Sequence, residues 1–174
     1  RPSPGRMLRR HVKSAKKSTI GVLIGIPAGN VAMATFPYIL KGIRDRAQTE
    51  RVNIDVYYQA PGDFHPETGR QPVFRHIREN DWRGSILIYP FAESAVESIL
   101  RKISSVAVLE TYSHAGLDII DTDDASAVLS LVECLHDAGH RRIGFLSWHY
   151  PIGGHWVARR FSGYVEALFF HGLV

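Results

Sequence analysis

Thr19-Ile20-Gly21-Val22-Leu23-Ile24-Gly25-Ile26 is a short continuous apolar run, ended by Pro27-Ala28-Gly29-Asn30. A strand with one face in water alternates apolar and polar residues, so an unbroken apolar run of this length reads as a strand buried on both faces. Ser85-Ile86-Leu87-Ile88-Tyr89 and Val106-Ala107-Val108-Leu109 read the same way. Val52–Tyr58 alternates, and Leu117-Asp118-Ile119-Ile120 is a shorter fifth candidate. Between these lie helical patterns. Phe36, Ile39, Leu40 and Ile43 recur at three- and four-residue spacing and predict a helix over Ala34–Gln48. Further helices are expected over Pro72–Glu79 and Ala92–Arg101. Another is capped by Asp123 or Asp124 and stopped by Gly139, and a last one covers Val157–Phe170. A sixth strand is expected at Arg142–Leu146.

Strands alternating with helices imply parallel pairing with right-handed crossovers, hence an α/β fold with a doubly wound parallel sheet. Such sheets bind ligands beyond the carboxyl ends of their strands. The segments that fall there are Pro27–Phe36, Gln59–His65, Tyr89-Pro90-Phe91, Glu110-Thr111-Tyr112 and Ser147–Trp156.

Charge divides the chain unevenly. Arg1, Arg6, Arg9, Arg10, Lys13, Lys16 and Lys17 give residues 1–17 a local +7 with no carboxylate. The rest holds 14 Lys and Arg against 17 Asp and Glu, a net −3. The polyanion attraction therefore sits in the leader, which reads either as a solvated basic tail or as a nucleic-acid contact. With 45% apolar residues the chain can bury one ordinary core. One cysteine, Cys134, leaves no pair for a disulfide, which fits a reducing cytoplasm. No apolar run reaches the roughly 20 residues that a membrane helix needs, and no apolar segment of signal-peptide type follows the basic start.

Catalytic chemistry is not written in the sequence. Gly21, Gly25 and Gly29 are wrongly spaced for a phosphate-binding loop, so no nucleotide cofactor is expected. Of nine histidines, only His136 and His140 fall at helical i, i+4 spacing, with Gly139 breaking the helix between them, and no metal site is expected. Asp118, Asp121, Asp123 and Asp124 could be an acid/base pair or a hard-cation site, but a strand-to-helix corner that caps a helix explains them more simply. Ser147 lies near His149 and His155 without nucleophile-elbow glycines. The chain reads as a non-enzyme.

Three segments carry a family resemblance. Gly139-His140-Arg141-Arg142-Ile143-Gly144-Phe145-Leu146, Asp118-Ile119-Ile120-Asp121-Thr122-Asp123-Asp124-Ala125-Ser126-Ala127 and Arg160-Phe161-Ser162-Gly163-Tyr164-Val165-Glu166-Ala167-Leu168 resemble, in order and spacing, segments of the LacI/GalR family of bacterial transcription regulators. Thr19–Ile24 and Phe36–Ile43 resemble that family's first strand and helix. The resemblance implies a type I periplasmic-binding-protein-like fold: residues 1–17 as a basic hinge or linker from a DNA-binding domain, 18–122 as the N-terminal effector-binding subdomain, and 123–174 as the start of a truncated second subdomain. It implies a cytoplasmic homodimer that senses a small molecule, a sugar or sugar derivative, between its subdomains and addresses operator DNA through the hinge. A solute-binding protein of a transport system with the same fold is the alternative.

By the same resemblance, Arg160 corresponds to an effector-binding arginine, Phe36 to an aromatic of the first ligand loop and Glu110 to a carboxylate that accepts hydroxyl hydrogen bonds. Each has a plainer reading: a solvated arginine, a core residue and an exposed strand end. Tyr89, Tyr112 and Trp148 also lie at strand ends and can offer apolar faces with polar edges. Arg6, Leu8, Arg9 and Arg10 resemble the hinge helix, with Leu8 as a minor-groove wedge. Departures from the family pattern include Gly5 in the hinge, Trp82-Arg83-Gly84 in place of Val–Asp–Gly, Ser105 in place of proline, and Ser147-Trp148-His149-Tyr150 in place of a glycine-rich turn.

Overall fold

The computed structural model describes residues 18–26, 36–65, 72–79, 81–147 and 154–173. Strands β1 (Thr19–Ile24), β2 (Asn53–Tyr58), β3 (Gly84–Ile88), β4 (Ser105–Val108) and β5 (Asp118–Ile120) form one sheet in the order β2-β1-β3-β4-β5, and every pairing is parallel. The helices are α1 (Phe36–Thr49), α2 (Pro72–Arg78), α3 (Glu93–Leu100), α4 (Asp124–Asp137) and α5 (His155–Phe170), with one 3-10 turn at Pro61–Asp63. The strand order reverses direction between β1 and β3, which makes the carboxyl ends of those two strands the switch point of a doubly wound sheet.

Alternation along each strand sorts its side chains between two cores. Leu23, Leu87 and Ala107 face α2 and α3, where they pack with Phe74, Ile77, Val96 and Ile99. Val22, Ile24, Ile88 and Val108 face α1 and pack with Phe36 and Leu40. Val22, Leu23 and Ile24 are fully buried, which is why β1 has no polar residue after Thr19. Burial of each such side chain contributes on the order of 1.5–3 kcal/mol.

The helix ends follow their sequence signals. Asp123 caps α4, its Oδ1 accepting from Ser126 N–H at 3.2 Å. Gly139, at φ 93°, closes the same helix, with His140 N–H donating to Leu135 C=O across the left-handed residue. Gly172 closes α5 in the same way, with Leu173 N–H donating to Leu168 C=O.

One expected element is absent. Residues 141–147, expected to hold a strand at Arg142–Leu146, carry neither strand nor helix. Tyr164 Oη of α5 donates to Ile143 C=O at 2.8 Å, and the Phe145 ring lies against those of Phe161 and Tyr164 at 5.4 and 5.3 Å, while Leu146 is 99% exposed. A strand needs a ladder partner, and the described sheet offers none beside this segment, since it ends at β5.

Candidate functional site

At the carboxyl ends of β3 and β4 the chain turns through two left-handed residues that are not glycine, Tyr89 (φ 68°) and Leu109 (φ 63°). Ile88 and Val108 are register partners, so the two turns are equivalent positions on neighbouring strands. This conformation costs an L-residue roughly 1–2 kcal/mol. It is held by ladder bonds that run one residue past each strand: Tyr89 N–H to Val108 C=O at 3.1 Å, and Leu109 N–H to Ile120 C=O at 3.0 Å. The turns place Tyr89 and Glu110 at the switch-point end of the sheet. Gly25 completes that corner, because a Cβ there would stand 2.5 Å from Pro90 O.

Phe36, Tyr58, Tyr89 and Tyr112 knit this end together. Phe36 N–H, at the start of α1, donates to Tyr89 Oη at 3.2 Å, and the Phe36 ring lies edge-on to Tyr58 and Tyr89 at 5.8 and 6.3 Å. Tyr112 Oη accepts from Phe91 N–H at 2.7 Å and donates to Tyr89 C=O at 3.3 Å. Burial pushes the Tyr112 phenol well above its ordinary range, against the pull of the Phe91 N–H, so it remains a neutral donor.

The second half of the site faces α5. Glu110 is 1% exposed and both carboxylate oxygens are engaged: Oε1 accepts from Thr111 N–H at 3.1 Å and Oε2 from Gly154 N–H at 2.9 Å. Gly154, at φ 87°, is the cap of α5, so the carboxylate of a strand end satisfies a donor at the positive end of a 16-residue helix. Arg160 Nε donates to Asp124 Oδ1 at 2.8 Å, and its guanidinium lies 4.6 Å from the centre of the Trp156 ring. Arg159 donates to Thr111 Oγ1 at 2.8 Å and forms an ion pair with Asp121. Asp124 is nearly buried, and its Oδ2, 3.5 Å from Arg159, has no hydrogen bond. Close packing holds α5 against α4, since a Cβ at Gly163 would stand 2.3 Å from the Ala125 carbonyl oxygen.

No protein-family model matches the chain, and no curated protein matches it in sequence. Solved structures do match. A regulatory protein of LacI family from Chloroflexus aggregans is 20% identical, with a TM-score of 0.74 over 90% of this chain and 54% of its own. A transcription regulator like protein from Staphylococcus haemolyticus is 21% identical, with a TM-score of 0.73 over 90% of this chain and 58% of its own. The chain has the fold of LacI-type transcription regulators. A LacI family transcriptional regulator from Weissella paramesenteroides, solved with bound glucose, is 15% identical, with a TM-score of 0.67 over 90% of this chain and 55% of its own. The chain thus spans a little over half the length of these structures.

Within this LacI-type fold, the structure brings five of the expected residues to one end of the sheet and its junction with α5. Phe36 and Tyr112 are largely closed off from solvent, at 1% and 6% exposure. Tyr89 is partly buried, Glu110 ties β4 to α5, and Arg160 is the most exposed of the five. Trp148, Arg6, Leu8, Arg9 and Arg10 lie outside the described residues. Thr111, Asp121, Gly154 and Arg159 make the remaining contacts; the sequence places Thr111 and Gly154 in strand-end segments and reads Asp121 as part of a capping corner, but singles out none of the four as an effector-site residue. The available signal was charge: two consecutive arginines on one helix and four aspartates at one corner of the same chain. Asp123 does cap a helix, as expected of that corner, but Asp121 and Asp124 take the arginines.

Proposed function

We propose that this chain is the effector-sensing part of a LacI/GalR-like, DNA-binding transcription regulator. In this reading residues 18–122 form the first lobe and residues from 123 onward begin the second. A small molecule, a sugar or sugar derivative, binds where the two meet. Residues 1–17 are the basic hinge or linker that leads from a DNA-binding domain, and Arg6, Leu8, Arg9 and Arg10 are its DNA contacts.

The observation that carries the reading is the junction itself: the carboxyl ends of β3 and β4 meet the start of α5, with Glu110 bonded to Gly154 and Arg160 held over Trp156. Arg160 supplies planar N–H donors that suit vicinal hydroxyls, and Trp156, Tyr89 and Trp148 supply apolar faces for a sugar ring. The glucose bound to the Weissella paramesenteroides regulator supports the ligand class. A ligand touching both lobes favours one relative orientation over another, and that difference in affinity is what changes operator binding. Operators of two-fold symmetry call for a homodimer.

Calorimetric titration of the full-length protein, in which the second lobe is whole, with a panel of monosaccharides, disaccharides and sugar phosphates tests the ligand; this chain, which in this reading holds only the start of that lobe, should bind poorly or not at all. Binding is expected for at least one, and Arg160→Ala should weaken it by about tenfold or more, the loss of a charge-assisted hydrogen bond. No binding tighter than about millimolar for any member would remove the sugar reading.

A further inference from the structure

Arg159 and Arg160 are neighbours near the start of α5, and successive helix residues point about 100° apart. Their guanidinium groups therefore approach the crossover from different directions, although Arg159 also lies 3.5 Å from Asp124 Oδ2. Arg160 takes Asp124, the first residue of α4, which belongs to the second lobe with α5. Arg159 takes Thr111, which follows β4, and Asp121, which follows β5. Thr111 Oγ1 itself donates to Asp121 Oδ2 at 3.2 Å, so one fork grips a preformed pair of acceptors on the first lobe. The pairing is largely withdrawn from water, with the Asp121 side chain 15% exposed and that of Arg159 31%.

We propose that Arg159 is a positioning residue: by gripping Thr111 and Asp121 it fixes the rotation and height of α5 against the strand ends, and so sets where Arg160 presents its guanidinium. The role given to Arg160 rests on the effector-site reading above, whereas the grip itself needs no ligand. Without Arg159, Asp121 loses its ion pair and Asp124 Oδ2 loses the cation 3.5 Å away, so this grip of the strand ends on α5 is lost. Lysine does not substitute, because a single ammonium lacks the planar fork that reaches both acceptors.

The chain's one cysteine, Cys134, is exposed on α4 and reports the second lobe; Arg44→Cys on the exposed face of α1 reports the first. Spin labels at the two sites give the distance distribution between lobes by double electron–electron resonance, with no ligand added. The double-labelled parent should show one narrow peak. Arg159→Gln should lose that peak to a broad distribution, Arg159→Lys should recover it only in part, and Arg159→Asp combined with Asp121→Arg should recover more of it than Arg159→Asp alone. A folded Arg159→Gln protein that keeps the narrow peak and merely unfolds at a lower temperature overturns the proposal. Should Arg159→Gln not fold, Thr111→Ala removes one acceptor only. A broadened peak in Thr111→Ala supports the grip, and an unchanged one overturns it. Failure of the full-length protein to bind any sugar while the labelled variants behave as stated would sink the ligand reading alone.

Discussion

Arg51 is held at φ 56° just beyond α1, and the bonds around it explain why. Val52 N–H donates to Ala47 C=O at 2.9 Å and Arg51 N–H to Gln48 C=O at 3.2 Å, a helix stop whose left-handed position glycine fills without strain. Because Arg51 is exposed, Arg51→Gly loses little packing, and denaturant unfolding should show a gain of up to about 1 kcal/mol. Gly21 makes the opposite case. A Cβ there would stand 2.3 Å from the ring of Trp82, which is 3% exposed, donates from Nε1 to Asp55 at 2.8 Å and stacks on His76 at 5.3 Å. Gly21→Ala should therefore cost about 1–3 kcal/mol from overpacking. Combining it with Trp82→Val should recover part of the Gly21→Ala cost, measured as a coupling in a double-mutant cycle. The indole, where the family resemblance leads one to expect valine, is thus accommodated by a missing side chain on the neighbouring strand and a ring stacked upon it.

At the scale of elements, α4 is the helix whose start is sensitive to acid. The hydroxyl and the N–H of Ser126 bond to Asp123 and hold its carboxyl below the ordinary carboxylate range. A depressed folded-state pKa means that the cap's contribution is present above the unfolded carboxyl value, about 3.9, and is lost as pH falls through the lower folded value. The difference in melting temperature between the parent and Asp123→Ala should therefore be full at neutral pH and shrink in strongly acidic buffer. A difference independent of pH would show that the charge plays no part. The link from β4 to α5 rests on a buried carboxylate instead. Glu110→Ala strands the Gly154 N–H and should cost about 1–3 kcal/mol, read by denaturant unfolding, with α5 losing amide-exchange protection first. Glu110→Gln keeps an acceptor and should cost less.

For the whole molecule, charge placement predicts how the chain meets a polyanion. Residues 1–17 carry +7 and the remainder −3, so a protein beginning at Ser18 should lose its salt-dependent attraction to duplex DNA. With the leader present, the logarithm of affinity should fall with the logarithm of salt at a slope no steeper than about −6, the limit for seven neutralised phosphates. Equal slopes with and without the leader would place the contact elsewhere. No helix among the described residues is long and apolar enough to cross a membrane. Outside the two cores, Ile120 at 62% exposure and Leu131 at 58% sit on β5 and α4, beyond the face that α1 or α2 and α3 cover.

The five strands of the sheet, the stop of α4 at Gly139 and the two-faced burial of β1 could be read from the chain because they follow from local rules: apolar runs, three- and four-residue spacing, and glycine where the backbone turns left-handed. Val22, Leu23 and Ile24 have to be buried wherever the sheet lies, and Gly139 ends a helix whatever surrounds it. Arg142–Leu146 has the composition of a strand, yet a strand exists only through a neighbour, and the described residues supply none beside it. The junction was decided by tertiary structure for the same reason. Glu110 reaches Gly154 across 44 positions and Arg159 reaches Thr111 across 48, and no local pattern encodes which of two adjacent arginines turns towards which of four aspartates.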